Sequence, residues 1–245
     1  MPPNFNLLVY GEPGVGKTRL CASADEVAEM RKVLILDVDG GVRTAQNVFP
    51  NVEYLSVTKW DQLQSIYNDL RADASHGFRT VVLDTVTEAQ KINMVGIMKT
   101  AAVKATEKGE QRDEEVPGLR EWGISSEQVR RMIRAYRDLP INFLMTAHVK
   151  DDKDERTQIT RRSPDLPGKL ARQIAGFFDI VFYMYQREVQ RDGTDGQKIS
   201  KTLRLLTSTS TDRVTAKDRT SRLPAVTQDL SMKFIYATAN GGKSE

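Results

Sequence analysis

Short apolar runs alternate with stretches of helical periodicity along most of this chain. Asn6 to Tyr10, Lys32 to Leu36, Val52 to Val57, Thr80 to Asp84 and Ile141 to Ala147 read as strands, too short and too uniformly apolar for amphipathic helices. Between them, Arg19 to Met30 reads as a helix. Trp60 to Ala74 carries Leu63, Ile66, Tyr67 and Leu70 at helical spacing, and Glu88 to Val103 continues that period through Ile92, Val95, Met98 and Ala102. A further helix, capped at Ser125 or Ser126 and running to Asp138, has Val129, Met132, Ile133 and Tyr136 on its apolar stripe, with Arg130, Arg134 and Arg137 on a solvated face. Strands alternating with helices predict an α/β fold: a mostly parallel central sheet with flanking helices on both faces.

After residue 148 the pattern changes. Leu170 to Ala175 reads as helix and Phe178 to Tyr185 as a strongly apolar strand. Asp192-Gly193 and Asp195-Gly196 mark a turn, and Lys198 to Thr207 answers as a second strand, which predicts a C-terminal β-hairpin region. Residues 106–120 are charged, contain Pro117-Gly118 and read as a loop; residues 208–224 are polar and basic; Met232 to Ala237 reads as a last strand. No repeat or linker divides the pattern, so the expectation is one domain over residues 1–245.

Composition narrows the class. The chain is 39% hydrophobic and 28% charged, as an ordinary globule is. It has no 18-residue apolar run, which leaves no membrane-spanning helix to expect. Cys21 is the only cysteine, expected as a buried thiol, and no basic-then-apolar leader is visible. Both point to a reducing cytoplasm. The net charge of +3 does not by itself call for a nucleic-acid partner. Local clusters are more informative: residues 201–222 hold six basic and two acidic side chains, and residues 150–172 hold seven and five.

The chemistry centres on Gly11-Glu12-Pro13-Gly14-Val15-Gly16-Lys17-Thr18, which matches the phosphate-loop pattern G-x-x-x-x-G-K-[ST] at every fixed position. Such a match is expected by chance on the order of 0.01 times in a chain this long, and here it lies between a predicted strand and a predicted helix, the context the motif requires. Glycines let backbone N–H groups approach an anion, and the following helix directs its positive end at the same place. Lys17 is expected to reach the β- and γ-phosphates and the Thr18 hydroxyl to ligate Mg²⁺, with Arg19 completing the nucleotide-binding set. Asp84, ending an apolar strand, is the candidate second metal-site residue; Thr85 beside it is placed to position a water or cap the next helix. Asp37 and Asp39 lie at the C-terminal end of the second strand, where ligands sit in open α/β sheets, and Asp39, followed by two glycines, is the candidate for orienting the attacking water. His148 ends another strand as a candidate sensor of the γ-phosphate, whereas His76 reads as a loop residue.

This order of parts resembles the RecA-like branch of P-loop ATPases: a catalytic acid in Leu36-Asp37-Val38-Asp39, a metal-site aspartate in Val82-Leu83-Asp84, a polar sensor in Thr146-Ala147-His148, then basic loops and a hairpin. The resemblance covers about residues 5–237 and is nearest to a phage-encoded group of minimal RecA-core proteins linked to single-strand annealing and recombination. Ala216-Lys217-Asp218-Arg219 is similar to the Lys-Asn-Arg element of RadA, with Asp218 for the asparagine and Thr220-Ser221 where Phe-Gly follows; Asp39 stands where RecA has a glutamate. The resemblance implies ATP and Mg²⁺ as cofactors and a homo-oligomeric ring or filament. It also implies single-stranded DNA as partner, with a single-strand-binding protein as a further candidate, and the host cytoplasm as location. It makes Lys217 and Arg219, with Arg213 and Arg222, candidates for acting on a neighbouring subunit's ATP. Two alternatives stay open: a nucleotide or small-molecule kinase, against which the acidic 106–120 segment argues, and a DNA-packaging or replication motor.

Overall fold

The computed structural model describes residues 4–109, 113, 116–192 and 198–242. Its core is a sheet in the order β11-β9-β8-β1-β5-β4-β2-β3. The parallel strands are β1 (Asn6–Gly11), β2 (Val33–Asp37), β3 (Glu53–Ser56), β4 (Thr80–Asp84), β5 (Asn142–Ala147) and β8 (Ile180–Asp192). Every described side chain of β1, β2, β4 and β5 is buried. That is why these strands read as unbroken apolar runs: a parallel sheet covered on both faces leaves no position for a polar alternation. β9 (Lys198–Thr207) returns antiparallel along β8 from Asp192 to Tyr183, β10 (Lys217–Asp218) pairs with β8 at Ile180 and Val181, and β11 (Val226–Thr227) edges β9. The α/β architecture, the mostly parallel sheet and the C-terminal hairpin agree with the sequence.

Each face of the sheet has its own core. One gathers Leu7, Val9, Ile35, Val82, Leu144 and Phe182 with the apolar residues of α1 (Lys17–Ala22) and α7 (Met232–Ala239). The other gathers Leu8, Leu36, Val81, Leu83, Phe143 and Val181 beneath α3 (Trp60–Ala72), α4 (Val86–Thr106), α5 (Leu119–Arg137) and α6 (Leu170–Ile174). A one-turn helix, α2 (Arg43–Gln46), lies between β2 and β3. No helix among the described residues is long and apolar enough to cross a membrane.

Several boundaries differ from expectation. The helix after the phosphate loop stops at Ala22 and passes into a 3₁₀ turn over Ser23–Glu26. The Ser23 hydroxyl bonds back to the Leu20 carbonyl (2.7 Å) and accepts the Met232 amide (2.9 Å), which docks α7 here; Val27 and Met30 still reach the core, but from a non-helical path. Residues 232–239 are helix rather than strand, because the Ser231 hydroxyl accepts the Phe234 amide and the buried residues Met232, Ile235 and Ala239 fall at helical spacing. α5 begins at Leu119, where Glu121 accepts the Gly118 amide; Ser125 is therefore not a cap but a buried residue inside the helix, bonded by Gln90 of α4. Residues 150–172 are not plain loop: β6 (Val149–Lys153) and β7 (Thr160–Pro164) form a separate hairpin, its turn held by Asp154 accepting the Arg156 and Thr157 amides. Its ladder is polar, so no apolar alternation announced it. Of the face expected to be solvated, Arg130 is paired to Glu127 and Gln173, and Arg134 lies 4.7 Å from the Phe177 ring centroid. The turn expected around Gly193 to Gly196, and Glu110 to Arg112, Glu114 and Glu115 of the expected 106–120 loop, lie outside the described residues.

Candidate functional site

The site follows from strand order. β1 ends in the phosphate loop, β4 in Asp84, and β5 lies between them. Register pairs Tyr10 with Ala147 and Asp37 with Asp84, so the ends of β1, β5, β4 and β2 meet along one edge. Carboxylates and hydroxyls far apart in sequence are thereby neighbours.

At the loop, Gly14 and Gly16 have φ of 74° and 116°, a left-handed backbone that glycine adopts without strain. Gly11 is glycine for a different reason: a Cβ there would stand 2.2 Å from the Met184 carbonyl oxygen of β8. Lys17 is buried, and its Nζ donates to the carbonyls of Gly11 (2.9 Å) and Glu12 (3.0 Å). Burial lowers its pKa, an effect opposed by Asp84, Asp39 and Glu12. Glu12, Pro13 and Gly14 are exposed along the loop, as is Arg19 just beyond it, while Val15 is buried.

Asp84 is 2% exposed. It accepts a 2.6 Å hydrogen bond from the Thr18 hydroxyl and another from the Thr146 hydroxyl of β5. Burial raises its pKa, against the two hydroxyls and Lys17, which lower it. Sequence reading paired Thr18 with Asp84, and the structure brings them together; Thr146 in this role was missed, since only the insertion of β5 between β1 and β4 puts it there. Thr85 caps α4, its hydroxyl accepting the Glu88 amide.

One step further along the edge, His148 Nε2 lies 3.7 Å from Asp39 Oδ2 and 3.9 Å from Glu88 Oε1. Asp39 and His148 are thus grouped as the sequence suggested, while Asp37 is buried, and its carboxylate accepts the Gly40 amide at 2.8 Å. Glu88 was read only as a helix start. Its place in the first turn of α4, one turn beyond Asp84, is the signal that could have flagged it. The neighbouring Thr87 hydroxyl accepts the His148 amide (3.0 Å) and donates to the Asp165 carbonyl (3.1 Å). His148 is also the last residue before the β6–β7 hairpin, and its carbonyl accepts the Asp165 amide (2.8 Å) where the hairpin returns.

Lys217 and Arg219 are not brought to the phosphate loop. β10 pairs with β8 at Ile180 and Val181, whereas Gly11 pairs with Met184, so along the strands Lys217 is offset from Gly11 by about 10 Å and Arg219 by about 16 Å, toward the opposite edge. Lys217 Nζ donates to the Phe178 (2.7 Å) and Ala175 (3.2 Å) carbonyls, and Arg219 pairs with Asp179 at 2.6 Å. Arg222 donates to the Ala239 carbonyl, and Arg213 is exposed. Asp218, the departure from the RadA element, accepts the amides of Thr220, Arg222 and Leu223 and so shapes this turn.

Comparison with known proteins bears on this geometry. The profile of the AAA domain family matches residues 4–220, which include the phosphate loop, Asp84, His148 and Arg219. The chain belongs to the AAA domain family. As an AAA protein it is a P-loop NTPase by class. No curated protein matches it. Among solved structures it is similar to the ATPase DotB of Legionella pneumophila, with 10% identity and a TM-score of 0.29, over 84% of this chain and 46% of DotB. The AAA chain thus spans about half the length of that protein.

Proposed function

We propose that this AAA protein is a Mg²⁺-dependent ATPase that acts on single-stranded DNA in recombination, by annealing or strand exchange, as a homo-oligomeric ring or filament. The observation that carries the reading is His148. The side chain grouped with Asp39 and Glu88 beside the phosphate loop belongs to the residue that leads into the β6–β7 hairpin, which is mixed in charge, and both its backbone groups are hydrogen-bonded. A change sensed at a γ-phosphate therefore reaches the hairpin without an intermediary.

The residues present fit Mg²⁺. Thr18 and Asp84 offer adjacent hard oxygen donors, of the kind that holds Mg²⁺ through one or two protein groups. When bound, the ion neutralises charge developing on the β- and γ-phosphate oxygens. The chain's own groups do the rest. Loop amides and Lys17 hold the phosphates, with Lys17 exchanging two carbonyl partners for phosphate oxygens. Thr146 holds the Asp84 carboxylate in place. Asp39 or Glu88 accepts a hydrogen bond from the attacking water, and His148 lies within reach of both. An arginine on the transferring phosphate typically adds 10³–10⁵ in rate, by order of magnitude. With Lys217 and Arg219 toward the far edge, such an arginine comes from a second copy, which couples turnover to assembly.

ATP turnover measured with single-stranded DNA, double-stranded DNA and nucleoside monophosphates tests this. Stimulation by single strands, abolished in Lys17→Ala, is expected. Phosphate transfer to a monophosphate without response to DNA would make the protein a kinase. The family assignment fits a DNA motor equally well, and stimulation by duplex alone would select that reading.

A further inference from the structure

Three tyrosines outside the phosphate chemistry form a ladder beside it. Tyr10, the last residue before Gly11, faces Tyr183 of β8 in register, with ring centroids 5.3 Å apart. Tyr185, two residues on and on the same side of the strand, stacks on Tyr183 at 5.2 Å with the planes 9° apart. Tyr10 and Tyr183 are buried, and Tyr185 is the half-buried outer ring. Beyond Met184, the partner of Gly11, β8 and β9 continue as a two-stranded ribbon past the edge that carries the loop. Tyr185 therefore stands where the ribbon leaves the sheet.

Near-parallel stacking at this spacing is how an aromatic side chain receives a nucleobase. Among the described residues no other ring is stacked on Tyr185. Basic groups flank the ladder, with Asp151 and Glu12 also near Tyr183. The Arg162 guanidinium of β7 lies 5.8 Å from the Tyr183 centroid, exposed Arg187 follows Tyr185 on the same side of the strand, and Lys201 of β9 faces Val189 one rung further along that side. Arg162 is paired with Asp151 at 3.3 Å, but both side chains are about half exposed, a pairing weak enough for a phosphate to replace. The Tyr10 hydroxyl meets the carbonyls of Thr215 (2.7 Å) and Arg162 (3.1 Å). It thus ties the hairpin and the 211–215 segment to the strand that ends in the phosphate loop.

We propose that Tyr185, backed by Tyr183 and flanked by Arg162 and Arg187, is a base-stacking platform for single-stranded DNA, and that Tyr10 is the positioning residue linking it to the ATP site. The inference rests on the single-strand reading above, and its test separates the two. Binding of fluorescent oligothymidylate is compared for the full chain, Tyr185→Phe and Tyr185→Leu, together with an abasic oligonucleotide of equal length. Tyr185→Phe keeps the ring and is expected to bind within about twofold of the parent, which also reports on folding; Tyr185→Leu fills the space without a stacking face and is expected to bind on the order of tenfold more weakly. The abasic strand should bind the parent and both variants alike. Equal oligothymidylate affinity for Phe and Leu variants would overturn the platform. No binding by the parent at low salt would overturn the single-strand reading itself. Tyr10→Phe should retain DNA affinity but lose DNA stimulation of turnover, and undiminished stimulation would remove the proposed link.

Discussion

Replacing Gly11 by alanine tests the closest backbone approach at the site. The added Cβ would lie 2.2 Å from the Met184 carbonyl oxygen, 3.2 Å from its carbonyl carbon and 3.3 Å from Val15 Cγ1. The oxygen belongs to the strand paired with Gly11 and cannot swing aside as a side-chain tip could. Restoring an ordinary 3.4 Å contact requires β1 and β8 to part by about 1.2 Å, which would stretch a normal ~2.9 Å ladder bond beyond hydrogen-bonding distance. Overpacking of this kind costs about 1–3 kcal/mol, and each weakened hydrogen bond about 1 kcal/mol. A total of about 3 kcal/mol corresponds to a fall in Tm of about 6–12 °C for a chain of this size. The same movement displaces the first residue of the phosphate loop, and a 1 Å misplacement typically costs about 10²-fold in rate. Gly14→Ala is the control: its Cβ meets nothing within 4 Å, so only its φ of 74° opposes the change, at about 1–2 kcal/mol. Thermal melts with titration of a fluorescent ATP analogue would measure both variants. Gly11→Ala melting and binding nucleotide like the parent, or losing less stability than Gly14→Ala, would refute the close approach.

Two further outcomes follow from the same structure. Burial holds the proton on folded Asp84 to higher pH than its ordinary 3.8. Between that value and the raised one the unfolded chain binds fewer protons, and stability falls as pH rises. In EDTA, Asp84→Asn should therefore flatten the decline in urea midpoint above pH 4, and an unchanged slope would contradict the assignment. Ser231→Ala removes the hydroxyl that accepts the Phe234 amide at 3.2 Å, and should cost about 1 kcal/mol by urea denaturation. No change would mean that α7 is held by its apolar face alone.

The coupling proposed between nucleotide and DNA needs no large movement. Tyr10 is the next-to-last residue of β1 and His148 directly follows β5 at the nucleotide edge, and each is bonded to the β6–β7 hairpin or its base. In the proposed coupling a shift at His148 would pass through its backbone groups, and one at Tyr10 through its buried side-chain hydroxyl.

Local patterns settled the parts of this protein whose physics is local. Buried parallel strands announce themselves as apolar runs, and a phosphate loop needs its glycines, lysine and threonine at fixed spacing because eight consecutive residues build it. The strands and the loop were legible for that reason. Where local signals compete, they failed: the apolar run from Met232 suits strand or helix equally until Ser231 caps it and Ser23 docks it, and the polar β6–β7 ladder carries no period to read. Tertiary structure alone decided the rest. Whether Thr146 reaches Asp84, whether Glu88 joins Asp39 and His148, and how far Lys217 and Arg219 stand from the loop all depend on strand order and register. Order and register are set by contacts between residues tens to hundreds of positions apart, which no window along the chain contains.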